Sequence, residues 1–582
     1  MGLLVRNKMN RATVIYLIIF IQVSLGDIHR GGILFPRESE TRQVVSLDGI
    51  WNFVVPNTSN PFVGFEQHWY KKDLREWING QLVMSHEIGH LPFHREVTQY
   101  LKFGKENRVT VACDNTLLAD TIPQGRVEEL ERPVKLYTTP KTYIDDISVL
   151  TIEVQTSSAL LEYNVSVIGE SNVTCRVSLI DKNKKVVANS GEYEESYGLL
   201  KIENPILWWP YLMHPEPGYQ YTFQVELLDE FGDLIDKYSQ PIGLRTVSWT
   251  NTSLLINNYP VYLHGFGRHE DSDIRGKGLD LPLIIRDHNL IKWVGANVYR
   301  TSHYPYAEEI MDIADEMGIM IIDECPSVNT EFFIESLLAK HKISLTELIK
   351  RDKNRPSVIM WSAANEPRTQ FAQAKEYFRQ IINHIKSLDQ SRPTTIVEAQ
   401  NVNVVESSRF VDIISFNRYN GWYSNEGNLD LVTDYVIREA TAWNEKFNKP
   451  VIMQEYGGDT LEGLHFVCRN LMKVLTPNFI WSEEYQVNLL SKHFEAFDRL
   501  RASGFFIGEF IWNFADFKTA QTYTRVGGNK KGIFTRSRQP KASAHHLRKR
   551  YWGLAKEYYN ATLPQDLTSY VISSQQALRD EL

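Results

Sequence analysis

Two glutamates stand where an apolar run gives way to small and polar residues, in Ser362-Ala363-Ala364-Asn365-Glu366-Pro367 and in Gln454-Glu455-Tyr456-Gly457. One carboxylate at the end of an apolar strand is ordinarily a solvated loop charge or a partner for a helix N-terminus. Two of them, on strands that face one another across a barrel, can divide the work of breaking a glycosidic bond. One attacks the anomeric carbon while the other gives and later takes a proton, and a spacing of about 5–5.5 Å suits retention of configuration. Such chemistry needs no metal and no organic cofactor.

A second feature concerns charge. The 582-residue chain has a net charge of −8, yet Arg525 to Arg550 contains Arg525, Lys530, Lys531, Arg536, Arg538, Lys541, Arg548, Lys549 and Arg550 and no Asp or Glu. A local cationic stretch in an acidic protein invites an anionic ligand. Nucleic acid is the rival, but Phe534 is the one Phe, Tyr or Trp among the charges before Tyr551 and the rest of the chain is acidic. Arg548-Lys549-Arg550 reads as a solvated helix face. The 43% apolar and 12% aromatic content excludes a disordered chain, and four Cys exclude a disulfide-built scaffold and supply no CxxC metal pattern.

Three modules must position these groups, making a multidomain β plus α/β protein. Residues 27–140 carry short β-like runs such as Val44 to Trp51 and Arg108 to Cys113. Residues 141–246 carry Ile147 to Val154, Leu160 to Ile168 and Tyr221 to Leu228, with turn residues between them that suit a β-sandwich of immunoglobulin-like type. From 247 to 560, apolar runs alternate with helical stretches such as Tyr306 to Met317 and Phe371 to Leu388. Tyr259–Gly265, Ala296–Thr301, Ile319–Asp323, Val358–Ser362, Thr394–Val397, Ile413–Asn417, Val451–Gln454 and Phe505–Asn513 read as eight buried strands of a (β/α)8 TIM barrel. In that fold chemistry sits at the C-terminal ends of the strands, where both glutamates fall.

The two ends look like addresses. Arg6, Lys8 and Arg11, the apolar run Ala12 to Val23 and Ser24-Leu25-Gly26 have the three parts of a signal peptide over residues 1–26. The run is short for a membrane span, so the mature chain is expected to have none. Behind such a leader, the sequons at Asn57, Asn164, Asn172, Asn251 and Asn560 become candidate glycosylation sites. The tail, 561–582, ends Arg579-Asp580-Glu581-Leu582, which resembles a KDEL-type signal read by a retrieval receptor of the endoplasmic reticulum.

Longer words carry a family resemblance. Asn365-Glu366-Pro367 and Glu455-Tyr456-Gly457 resemble the acid/base and nucleophile signatures of glycoside hydrolase family 2, and within it the β-glucuronidases. The likeness extends to His269-Glu270-Asp271-Ser272-Asp273-Ile274-Arg275-Gly276-Lys277-Gly278, Arg300-Thr301-Ser302-His303-Tyr304-Pro305-Tyr306, Trp512-Asn513-Phe514-Ala515-Asp516-Phe517 and Asn529-Lys530-Lys531-Gly532-Ile533-Phe534-Thr535-Arg536. The resemblance implies Glu366 as acid/base, Glu455 as nucleophile and Tyr419 as its hydrogen-bond donor. It implies Asn365 at the sugar 2-hydroxyl, His303 and Trp512 at the reacting ring, and Asn529, Lys531 and Arg525 at the glucuronate carboxylate. It further implies a homotetramer, a lysosomal or secreted destination, and β-glucuronide substrates ranging from glycosaminoglycan fragments to small glucuronides.

The chain departs from the family at its N-terminal, jelly-roll-like sugar-binding module. Arg75-Glu76 runs straight into Trp77-Ile78, a second stretch is lacking near Glu129 to Arg132, and extra residues lie between His465 and Ile480. Missing sandwich strands should expose edges and apolar faces, so reduced stability or affinity is expected. Two rivals follow: a catalytically silent carbohydrate-binding luminal protein, and a β-galactosidase or β-mannosidase of the same fold, which the Lys of Asn529-Lys530-Lys531 disfavours.

Overall fold

The structure is a computed structural model that describes residues 14–19, 32–50, 74–112, 118–122, 132–169, 172–191, 195–465 and 479–568. Asn57, the 466–478 part of the insertion and the 579–582 tail lie outside the described residues.

The barrel closes as expected, in the order β1 (Leu263–Arg268), β2 (Val298–Thr301), β3 (Met320–Glu324), β4 (Val358–Asn365), β5 (Thr394–Glu398), β6 (Ile414–Asn417), β7 (Val451–Tyr456) and β8 (Phe506–Ile511). Every residue of these strands is buried, which is why they read as continuous apolar runs rather than alternating ones. Helices α1 (Leu281–Val294), α2 (Glu308–Met317), α3 (Glu335–Asp352), α4 (Ala372–Leu388), α5 (Val432–Phe447), α6 (Glu483–Ala502) and α7 (Ala542–Tyr559) wrap it. Helix α4 buries Ala374, Tyr377, Phe378, Ile381, Ile382 and Ile385, the three-and-four spacing of an amphipathic helix laid on a sheet. Asp280 caps α1 through the Leu283 N–H, and Gly295 ends it at φ 84°, a left-handed turn that favours a residue without a Cβ.

Two expectations about the barrel are corrected. One of the eight strand–helix alternations, the fifth, is absent among the described residues: β5 reaches β6 through a single 3-10 turn, Ser407–Arg409. The first run, Tyr259 to Gly265, divides. Tyr259–Val261 pairs with Leu254–Ile256, which pairs on its other side with Val247–Trp249 in a separate three-stranded sheet, and the barrel strand starts at Leu263. Leu254, Ile256 and Val261 pack with Trp208 and the barrel residues Val298, Met320, Ile322 and Ile452, so this small sheet closes the end of the barrel away from the glutamates.

The middle module is a sandwich of seven strands. Val186–Asn189, Thr174–Ile180, Tyr221–Leu228 and Leu234–Ile242 form one sheet, and Tyr197–Glu203, Ser158–Ile168 and Tyr143–Val154 the other. Their inward residues, among them Ile147, Leu161, Val177 and Phe223, share one core, as the sandwich reading requires. Arg245 fastens the module to the barrel by donating to the Pro356 and Val358 carbonyls at 2.8 and 2.7 Å.

In the N-terminal module Val44–Ser46, Lys135–Thr139, Val14–Ile19 and Phe93–Glu96 make one sheet, and Gln81–His86, Leu74–Ile78 and Val109–Ala112 another. The strand at Val44 is thus shorter than the run to Trp51 suggested. Strand Val14–Ile19 comes from the apolar stretch expected to belong to a leader, and it fills an inner position between Lys135–Thr139 and Phe93–Glu96. Where Glu76 joins Trp77, Glu76 pairs with Met84 and Trp77 with Leu82, a β-bulge. The bulge absorbs the abrupt join without flipping the following residues to the wrong face.

Candidate active site

Glu366 follows the last residue of β4, and its main-chain N–H donates to the Val397 carbonyl of β5 at 2.7 Å. This bond holds it at φ 49°, a left-handed conformation uncommon for a residue with a side chain. Beyond it the loop is braced when Thr369 donates to Glu398 at 2.6 Å. Glu398 also accepts from Ser407 and Ser408, and burial pushes its carboxyl up to about 7.

Glu455 lies within β7 rather than just after it, and is buried. Its Oε1 accepts from Arg300 Nη2 and its Oε2 from the Tyr419 hydroxyl at 2.5 Å. Burial raises the Glu455 carboxyl; the charges of Arg300 and His303 draw it back, Glu366 adds to the rise, and the net direction is up. Tyr419 is held well above the ordinary phenol range by burial and then by the Glu455 charge, so it stays a donor.

Arg300, on β2, organises the floor. Its Nη1 donates to both Glu324 oxygens at 2.7 and 2.8 Å and to Asn365 Oδ1 at 3.3 Å. Burial alone would lower the guanidinium, but Glu324 and Glu455 hold it charged. Glu324 in turn would be raised by burial, and Arg300 and His303 bring it below its usual value. From β6, Asn417 Nδ2 donates to Asn365 Oδ1 at 3.2 Å and to Glu366 Oε1 at 2.9 Å. The acid/base candidate and the nucleophile candidate therefore share one hydrogen-bonded frame.

His303 donates from Nδ1 to Glu324 Oε1 at 3.0 Å and stacks on Trp512, with ring centroids 4.9 Å apart. A Cβ on Gly267 would stand 2.4 Å from Trp512 Cε3, so only glycine fits beneath that ring. Trp512 thus stands buried beside His303, just past the end of β8.

The cationic residues gather on the β7 side. Lys531 Nζ pairs with Asp459 and donates to the Tyr423 hydroxyl at 2.8 Å; Arg525 Nη1 lies 3.4 Å from the same Asp459 oxygen; Asn529 Oδ1 accepts from the Lys531 N–H at 3.1 Å. Burial lowers Lys531 to about 8, against the pull of Asp459. The end of the basic stretch behaves otherwise than its reading as a solvated face. Arg548 is buried and pairs with Asp566 at 2.6 Å, and Arg550 pairs with Glu509 at 2.6 Å.

All nine site candidates, Asn365, Glu366, Glu455, Tyr419, His303, Trp512, Arg525, Asn529 and Lys531, stand on strand ends or loops at one mouth of the barrel. Sequence reasoning missed Arg300, Glu324, Asn417, Tyr423 and Asp459. One of these, Arg300, was already inside a family-like word, Arg300–Tyr306, and Asn417 closed the sixth apolar run, Ile413–Asn417. Among the described residues no cluster of His, Cys, Asp and Glu could hold a metal ion.

Residues 247–556 match the model of the glycosyl hydrolases family 2 TIM barrel domain, and residues 135–245 match a second glycosyl hydrolases family 2 model. The chain belongs to glycosyl hydrolase family 2. It is 38% identical to the β-glucuronidase of Homo sapiens, over 91% of this chain and 94% of that protein. It is likewise 38% identical to the β-glucuronidase of Mus musculus, over 91% and 93%. Among family 2 structures, a β-D-glucuronidase of Dictyoglomus thermophilum matches with a TM-score of 0.79 at 38% identity, covering 89% of this chain and 99% of that one. A β-glucuronidase from an uncultured Clostridium matches with a TM-score of 0.81 at 36% identity, covering 90% and 100%.

Proposed function

We propose that the chain is a retaining β-glucuronidase, releasing terminal β-D-glucuronic acid from glycosaminoglycan fragments and small glucuronides. The observation that carries the anionic sugar is the Lys531–Arg525 pair, on a loop tied to the strand that carries Glu455. Lys531 and Arg525 share the single carboxylate of Asp459, and a neutral sugar would leave their remaining positive charge unmatched, which weighs against a galactosidase or mannosidase.

In this reading Glu366 protonates the glycosidic oxygen as Glu455 attacks the anomeric carbon, giving a glycosyl-enzyme and free aglycone. Glu366, now a carboxylate, takes a proton from water as that water attacks the same carbon and releases Glu455. Arg300 and Tyr419 each hold one oxygen of Glu455, so the nucleophile is aimed before substrate arrives. His303 and Trp512 wall the reacting ring. The intact frame weighs against a silent binding protein. Turnover of an aryl β-glucuronide by the expressed chain, with none of the matching β-galactoside, tests the reading; the reverse preference would overturn it.

Passage through the secretory pathway belongs to the same proposal. Asn164, Asn172, Asn251 and Asn560 are all exposed, as acceptors must be, and among the described residues no helix is long and apolar enough to cross a membrane. Cleavage near Gly26 would remove strand Val14–Ile19 from the mature sheet. Retrieval through Arg579–Leu582 competes with lysosomal delivery and secretion, and the glycan type on the purified chain distinguishes them. Homotetramer assembly, the family's arrangement, is tested by its mass in solution.

A further inference from the structure

We propose that Asp459 is a positioning residue for the sugar carboxylate: it locks the Lys531–Arg525 cation pair at a fixed place relative to Glu455. The inference rests on the reading of Lys531 as a carboxylate-holding residue.

The nucleophile and the cations come from different parts of the chain. Glu455 is on β7, whereas Arg525, Asn529 and Lys531 follow β8. A sugar has one fixed distance between its anomeric carbon and its carboxylate, so the two parts must keep register. Asp459, four residues beyond Glu455, supplies the tie. It is completely buried; Oδ1 accepts from the Lys530 main-chain N–H at 2.7 Å, and Oδ2 takes Lys531 Nζ and Arg525 Nη1. Neighbouring bonds stiffen the junction. Thr460 N–H donates to the Lys530 carbonyl at 3.0 Å, and Gln486 Nε2 donates to the carbonyls of Gly458 and Lys531 at 3.0 and 3.2 Å.

Charge points the same way. Two cations this close repel, and burial disfavours the charge on Lys531. Asp459 cancels one of them and leaves a net single positive charge, which one sugar carboxylate neutralises. Asp459 does not compete with substrate for the cations, because it is gripped from behind by a main-chain N–H and has no exposed surface. Lys531 has three donors and uses two of them, on Asp459 and Tyr423. Tyr423 packs against the lysine with its ring centroid 4.5 Å from Lys531 Nζ, and is itself 51% exposed.

The test is a double-mutant cycle on the full chain, with an aryl β-glucuronide as substrate at mildly acidic pH. Wild type, Asp459→Asn, Lys531→Gln and the double variant are compared for kcat, KM and melting temperature. Asp459→Asn is expected to raise KM about tenfold or more while kcat stays within about threefold. In the Lys531→Gln background the same change is expected to move KM by less than about twofold, because its effect passes through the lysine. An unchanged KM for Asp459→Asn, or the same factor in both backgrounds, would overturn the proposal. If Lys531→Gln itself leaves KM unchanged, the carboxylate reading of Lys531 falls first and takes this proposal with it. Should the Asn variant fold poorly, Asp459→Ala assayed with added formate gives a second measure. Formate can occupy the vacated carboxylate position and is expected to lower KM; no response to formate would count against the proposal.

Discussion

The barrel mouth and the N-terminal module both bury carboxylates, and they treat them differently. At the mouth, Glu324 and Glu455 meet Arg300, and Asp459 meets Lys531 and Arg525. In the N-terminal module Glu76 is fully buried, and neither of its carboxylate oxygens has a hydrogen-bond partner among the described residues. Glu76 sits at the bulge and points to the same side as Ile78, as residues two apart on a strand do. The bulge rescues the register of the strand but leaves a charge facing the core. Burial accordingly drives the Glu76 carboxyl well above its ordinary value. A catalytic frame and a repaired sheet can thus stand in one chain, the first with its charges matched and the second without.

Substitutions can break this contrast or sharpen it. Glu455→Gln should cut turnover of an aryl β-glucuronide by about four orders of magnitude or more, as loss of a catalytic nucleophile does. Its melting temperature should stay near that of the parent, because Arg300 keeps Glu324. Arg300→Met strands two buried carboxylates, and breaking such a pair costs about 3–5 kcal/mol. Urea unfolding should register that loss, and the acid limb of kcat/KM should move to higher pH, since the guanidinium lowers the Glu455 carboxyl.

Glu76→Gln should work in the opposite direction. The folded chain holds the Glu76 proton more tightly than the unfolded chain, so that contribution to stability is present in acid and disappears as pH rises through the raised value. The variant should therefore be more stable than the parent at neutral pH by about 1–3 kcal/mol. The gain should fade below the unfolded value of 4.5; unfolding curves at two pH values check it. A gain that did not depend on pH would erase the contrast between the two regions. The smallest effect concerns the wild type. Lys531 must be charged to hold a carboxylate, and among Asp459, Arg525, Glu455 and Tyr423 it titrates near pH 8. KM for the glucuronide should rise as pH passes that value, while kcat should respond less.

What was legible in the sequence follows from what repeats or stays local. The apolar runs of β2 to β8 and the spacing of α4 are local patterns, and the two glutamates stand at the ends of such runs. Arg300 and Asn417 were harder, because their roles are bonds between strands far apart in the chain. Arg548 and Arg550 looked solvated for the same reason, since a local charge count does not see Asp566 or Glu509. The helix missing between β5 and β6 left no mark because each of those strands is complete without it. At Glu76 and Trp77 the sequence showed a join, and only the pairing of strands revealed how it was absorbed.

Asn365 offers a last consequence. Its Oδ1 already accepts from Arg300 and Asn417, and that saturation settles which way its amide is turned. In the proposed reading, with Asn365 at the sugar 2-hydroxyl, the NH2 end is the one left for the sugar, so Asn365 would donate and the 2-oxygen would accept. A 2-deoxy glucuronide would leave that donor facing bare carbon, and a site built around a hydroxyl discriminates strongly against analogues that lack it. In that reading, three side chains on three strands would together read oxygenation at a single carbon of the ring.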